Sequence, residues 1–212
     1  LDKISLFMPH VLPADMERVN LYKTIQSQVT LTVPYRARQC DIVTVAESTT
    51  FSWPLAGRDQ TDKPRYIIVG FQTNRDGNQE TNPAVFDHCD LKNMYVMLNQ
   101  NRYPAVDYNL SFPNQQFSRA YYDAASFSEK FYGMHELITQ SGITPSDYKD
   151  LFPLMVFDVS KQSEKLKSTT VDVQIKATFN VAVSDNTEAF AVVISDQVLK
   201  FQSDGSKMSV VY

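Results

Sequence analysis

The sequence predicts an all-β protein, an antiparallel β-sandwich with two or three short helices in the connections between strands. Three observations carry this. Val171 to Val183 alternates for thirteen positions, with Val171, Val173, Ile175, Ala177, Phe179, Val181 and Val183 on one side and Asp172, Gln174, Lys176, Thr178 and Asn180 on the other. A sheet with one buried face makes that pattern. Runs rich in β-branched and aromatic residues recur, most plainly Arg65 to Thr73 (RYIIVGFQT). Helical spacing is confined to short stretches.

The elements follow in order. Lys3 to Val11 is an extended apolar segment closed by Pro9 and Pro13. Ala14 to Ser27 reads as a short helix, with Met16, Val19, Tyr22 and Ile25 on one face. Val29 to Tyr35 alternates as a strand, and Ile42 to Ala46 is a second short strand. Phe51 to Pro54 follows, then a polar turn at Asp59 to Lys63 and the buried strand from Arg65. Asn74 to Asn82 is a polar loop. Leu91 to Leu98 and Arg102 to Tyr108 form a strand pair turning at Asn99-Gln100-Asn101.

Gln115 to Tyr132 is the strongest helix, with Phe117, Tyr121, Ala124, Phe127 and Phe131 in one stripe and Gly133 as its stop. Thr144-Pro145-Ser146-Asp147 reads as N-cap, proline at N1 and acid at N3, opening a short helix to Phe152. After the Val171 strand comes Ala189 to Phe201, with a bend expected near Ser195-Asp196. Asp204-Gly205 marks a hairpin before Lys207 to Tyr212. Long loops between the strands favour a jelly roll over a simple meander.

Composition excludes several function classes. The 212 residues are 43% hydrophobic, enough for a sizeable core in one domain. Net charge is −4, which argues against a surface built to grip phosphates and against sequence-specific nucleic-acid binding. The longest apolar run, Phe190 to Ile194, is strand length and far short of the ~20 residues a membrane helix needs. Two cysteines, Cys40 and Cys89, make no disulfide framework and read as reduced thiols of an intracellularly made protein. The chain opens Leu-Asp-Lys without a signal-peptide pattern or an initiator methionine, so it is expected to be an internal piece of a longer polyprotein or reading frame.

Chemistry-bearing residues are few. Asp87-His88-Cys89-Asp90 brings together a thiol, an imidazole and two carboxylates. In an extended segment neighbours point to opposite faces, so His88 and Cys89 form no dyad, and a partner would have to be His10 or His135. The expected role is structural, with Asp87 or Asp90 satisfying backbone amides at a loop-to-strand junction.

The three histidines fit no zinc or cupin spacing. Asn74 to Asn78 lacks the alternating oxygens of a calcium loop and reads as a surface turn. The six glycines are scattered, so there is no phosphate loop. Lys161, Lys165 and Lys167 form a small basic cluster, read first as a solvated connection. The Phe117 to Phe131 stripe reads as a helix over the open end of the sandwich. No residue is expected to be catalytic, to bind a cofactor or to ligate a metal.

Several stretches, in this order, resemble a known family: FMPHVLPADMERVNLYKTI (Phe7 to Ile25), Pro34-Tyr35-Arg36, KPRYIIVGFQTNR (Lys63 to Arg75), FDHCDLKNMYVMLNQNRYP (Phe86 to Pro104), FDVSKQSEKLKSTTVDVQIKA (Phe157 to Ala177) and AFAVVISDQVLKF (Ala189 to Phe201). They look like the C-terminal part of the double jelly-roll major capsid-like proteins of Polinton- and adintovirus-type elements integrated in invertebrate genomes. The resemblance spans nearly the whole chain. It implies that residues 1–212 are one jelly-roll domain, the second roll of a longer double jelly-roll protein.

On that resemblance the chain is a non-enzymatic capsid subunit of the virion. Its partners are further copies of itself in a homotrimeric, pseudo-hexagonal capsomer, the upstream jelly roll and other capsid proteins. The family carries the Asp87 to Asp90 run without assigned chemistry. The chain departs from the family between Phe51 and Thr61, where Trp53-Pro54 and Gly57 imply an edge or broken strand. Two rival readings are a domesticated jelly-roll binding module recognising a protein or carbohydrate, and a cupin-like or thiol enzyme.

Overall fold

The computed structural model describes residues 3–55, 63–133, 142–162, 171–204 and 208–211. In chain order the elements are α1 (Asp15–Gln26), β1 (Leu31–Val45), β2 (Thr50–Leu55), β3 (Lys63–Thr73), β4 (Leu91–Leu98), β5 (Asn101–Tyr103), α2 (Ser118–Ala125), α3 (Phe127–Tyr132), α4 (Pro145–Asp150), β6 (Met155–Asp158), β7 (Val173–Phe179), β8 (Thr187–Ser203) and β9 (Met208–Val211). The chain divides into two compact units, Leu1–Tyr35 with Val198–Tyr212, and Arg36–Gln197. The boundary falls inside β1 and inside β8.

One sheet has the order β1-β8-β3-β6, with β9 also paired to β8, and the other has the order β2-β7-β4-β5. Strand one therefore pairs with eight, two with seven, three with six and four with five. That is a long hairpin rolled up on itself, a jelly roll. Up to β8, every connection except β4–β5 passes from one sheet to the other.

The core lies between the two inner faces. On β3, Ile67, Val69 and Phe71 point inward, opposite Val193, Ala191 and Ala189 of β8. The small alanines leave room for aromatics: Phe71 meets Phe179 edge-on at 5.4 Å and Phe51 at 6.3 Å. Across the other sheet Val96 and Trp53 flank Ile175, which is fully buried.

The alternation in the last third holds, but the strand is shorter than expected at both ends, beginning at Val173 rather than Val171. Val171, Val173, Ile175, Ala177, Phe179 and Val183 are buried as expected, but β7 ends at Phe179 and Val181 is 57% exposed. After Phe179 the chain turns, with the Asn180 amide donating to the Asp90 carbonyl and the Val183 amide to Ser48, so the period is lost there.

Other boundaries also move. The two strands expected between Val29 and Ala46 are the single 15-residue β1, tolerating Pro34 because it is an edge strand. Pro54 lies in β2, likewise an edge, as expected; the turn expected from Asp59 and the departure at Gly57 fall outside the described residues apart from Lys63. Arg102 to Tyr108 yields only the three-residue β5, and β6 is a strand that the sequence reading did not foresee.

β8 runs unbroken for 17 residues through Ser195 and Asp196. The irregularity sits on its partner: the register slips between Pro64 and Tyr66, leaving Arg65 as a bulge opposite Ser195 and Ile194. β9 pairs antiparallel with Lys200 to Ser203, while Gly205 of the expected hairpin turn lies outside the described residues.

The long helix is two. Phe117 and Ala120 pack into the main core, whereas Phe127 and Phe131 join a separate cluster with Tyr66, Ile68, Val192 and Ile194 on the outer face of the β3–β8 pair. The chain breaks at Ser126 to serve both. The stripe expected over one open end of the sandwich thus covers part of an outer sheet face as well. Gly133 caps α3 in the left-handed region at φ 68°, and α4 carries the full Thr144–Asp147 capping box. α1 forms where expected but buries none of its residues.

Candidate functional site

Asp87 to Asp90 begins with an antiparallel bridge between Asp87 and Phe71 near the end of β3, and Cys89 packs against the main core. The Asp87 amide donates to the Phe71 carbonyl, and one carboxylate oxygen accepts from the Thr73 amide at 2.8 Å. The other accepts from Arg75 at 2.9 Å, while Arg75 also donates to the Asn82 carbonyl. Asp87 thus fastens the Asn74–Asn82 loop to the end of β3, the amide-satisfying role expected of it.

Cys89 and Asp90 are not extended. Both lie in the left-handed region, at φ 48° and 45°, and the Leu91 amide closes the turn on the His88 carbonyl. The Asp90 amide donates to His88 Nδ1 at 2.9 Å, so the neutral ring carries its proton on Nε2. The imidazole stacks on Phe112, 4.6 Å between centres and 3° from parallel. Asn180 donates to the Asp90 backbone and carboxylate and to the Leu110 carbonyl, joining this turn to the end of β7.

The electrostatics run against nucleophilic chemistry. Burial pushes the Cys89 thiol up to about 11, with a hydrogen bond involving Thr73 opposing and Asp87 adding to the rise. Almost no thiolate exists at neutral pH, and the thiolate is the nucleophile. Burial also lowers the His88 pKa, with Asp90 opposing it and Lys149 reinforcing it. An open groove of about 260 Å³ lies beside the run, lined by Phe86, Asp87, His88, Cys89, Lys149 and Asp150. His135, a possible remote partner, falls outside the described residues, as do Lys165 and Lys167 of the basic cluster.

The polar loop behaves as a turn. The Asn78 side-chain amide donates to the Asn74 carbonyl, and its backbone amide donates to Arg75. A polar cleft of about 460 Å³ beside it is lined by Thr44, Asn74, Asp76, Asn78, Asn186 and Glu188. Among the described residues no group of three His, Cys, Asp or Glu side chains is placed to hold a metal. No described helix is long and apolar enough to cross a membrane.

Sequence reasoning missed a second constellation. Arg36 lies over the Phe131 ring at 4.5 Å and donates to the Phe131 carbonyl, and Asp196 faces both Arg36 at 3.6 Å and Arg65 at 2.7 Å. These groups lock α3 to β1, β3 and β8. Pro34-Tyr35-Arg36 was visible as a motif, but nothing local marks its partners, 95 and 160 positions away.

Two sheets paired one to eight, two to seven, three to six and four to five define a jelly-roll scaffold. The chain belongs to the double jelly-roll-like domain family, whose model matches residues 1–199. No curated protein matches it. Among solved structures it is similar to the PBCV-1 virus capsid, a quasi-atomic model, at 10% identity and TM-score 0.47, covering 94% of this chain and 54% of that one. It is also similar to the mavirus major capsid protein, at 9% identity and TM-score 0.43, covering 87% and 41%. The chain therefore spans about half the length of these structures or less.

Proposed function

We propose that this chain is a non-enzymatic structural protein, the second jelly roll of a double jelly-roll capsid subunit. The observation that carries this reading is the jelly-roll strand order in a chain of the double jelly-roll-like family. The same strand order would serve a binding module, and the groove beside Asp87 to Asp90 does set Phe86 and His88 next to Asp87 and Asp150; the family match favours the capsid reading. Residues 1–212 are then one roll. The upstream roll packs beside it, and three subunits close a ring of heterologous contacts into a pseudo-hexagonal capsomer of the virion. The resemblance in sequence supports an origin with Polinton- and adintovirus-type elements.

The test is light scattering and electron microscopy of the two-roll protein. Trimers or particles are expected. A two-roll protein that stays monomeric at high concentration, with no trimer in micrographs, overturns the capsid reading in favour of the binding module.

A further inference from the structure

A further recess lies away from Asp87 to Asp90, between the end of β5, α2 and the outer edge of β6, with a volume of about 150 Å³. Tyr103, Pro104 and Tyr108 supply apolar walls, and Arg119, Asp123 and Asp158 supply charge. None of the three charged groups is fully spent. Asp123 accepts the Tyr108 hydroxyl on one oxygen at 2.8 Å. Asp158 accepts the Ser160 amide and hydroxyl on one oxygen, at 3.0 and 2.6 Å. Each carboxylate keeps its other oxygen without a partner among the described residues. Arg119 lies over the Tyr108 ring at 4.7 Å and directs one nitrogen to the Val106 and Asp107 carbonyls, which leaves further N–H donors of its fork. A sheet edge borders the same space. The Val159 amide donates to Arg65 and Phe157 stands opposite Ile67, so Val156 and Asp158 point their own amides and carbonyls away from β3, where no described strand continues the sheet.

We propose that this recess is a subsite for a single neutral hexopyranose. Charge selects against simple ions: an anion meets Asp123 and Asp158, and a cation meets Arg119. A zwitterion such as a free amino acid would give up the hydration of two full charges for groups already engaged with the protein. A sugar carries no charge, and each of its hydroxyls both donates and accepts, which suits a guanidinium beside two carboxylates. Its ring C–H groups form an apolar patch for the tyrosine walls. Volume points the same way: about 150 Å³ is the scale of one sugar ring and falls short of the ~300 Å³ at which larger ligand sites begin.

The site does not depend on the capsid reading, because a capsid subunit and a binding module can both display it.

The experiment is saturation-transfer NMR on the 212-residue chain with the methyl glycosides of glucose, galactose and mannose. At least one should bind saturably in the millimolar range. Asp158→Asn and Arg119→Met should each weaken that glycoside roughly tenfold or more, the effect of losing one hydrogen bond to a charged group. The melting temperature should stay in place: both side chains are exposed, the asparagine oxygen still accepts from Ser160, and the methionine stem still covers Tyr108. Lys149→Ala, in the groove beside Asp87 to Asp90, should change nothing. The proposal is overturned if no glycoside saturates, if the two recess variants bind as wild type does, or if Lys149→Ala removes the binding. It is equally overturned if glycine or butylammonium binds and the sugars do not.

Discussion

His88 and Cys89 sit side by side, and burial acts on both, keeping the thiol protonated and lowering the imidazole pKa. The Cys89 thiol is held at about 11 by burial. The His88 ring is flat against Phe112, and its Nδ1 lone pair is occupied by the Asp90 amide. That geometry has a pH consequence. Burial holds the folded-state pKa of His88 below its ordinary 6.5, so on acidification the unfolded chain takes up the proton first. The stability from the neutral ring is whole above 6.5 and declines as the pH falls below it. The melting temperature of the wild type should therefore drop more between pH 7 and pH 5.5 than that of His88→Asn, whose amide oxygen can still accept from Asp90. Equal slopes in the two proteins would show that His88 titrates alike folded and unfolded. The motif itself was legible from the sequence, and so was the anchoring role of Asp87. The left-handed turn was not, because Asn180, whose amides hold the Asp90 carbonyl and carboxylate, lies far along the chain.

Elements with local signals were readable to within a residue or two. β4 occupies Leu91–Leu98 as expected, and the α4 capping box and the Gly133 stop are short-range devices written in adjacent residues. Elements defined by partners were not. β6 is four residues that form a strand only because β3 offers an edge, and the bulge at Arg65 appears in β3 rather than at the suspected site in β8. Gly70 shows the same dependence on distant chain. A Cβ there would lie 2.6 Å from Leu154 and 2.7 Å from Phe86, which pack over the outer face of β3 beside Phe190. Gly70→Ala should cost about 1–3 kcal/mol through overpacking, measured as a shift in the urea midpoint at unchanged slope. A variant as stable as wild type would mean that the 82–87 loop yields freely and is not fixed to the sheet.

At the scale of the whole molecule, the roll works because each sheet turns one face inward. Phe71, Phe179, Met94 and Ile175 meet there, drawn from β3, β7 and β4, while the outer faces are covered unevenly by α3 and by the 82–87 loop. A scaffold of this kind tolerates change by face rather than by position in the sequence, and the Val171 to Val183 run tests that directly. Ile175 and Val181 share the same parity and look equivalent in the sequence. The structure separates them: Ile175 is completely enclosed between Val96 and Trp53, whereas Val181 has left the sheet. Ile175→Asp places an unpaired carboxylate in the core, at a cost of several kcal/mol, against total stabilities of roughly 5–15 kcal/mol. It should abolish soluble folding. Val181→Asp should fall within about 0.5 kcal/mol of wild type, as exposed substitutions do. Soluble yield and thermal melting of the two variants decide the matter. A soluble Ile175→Asp that melts like wild type would mean that the inner face has been assigned to the wrong side of β7. A collapse of Val181→Asp would instead extend the buried strand past Asn180.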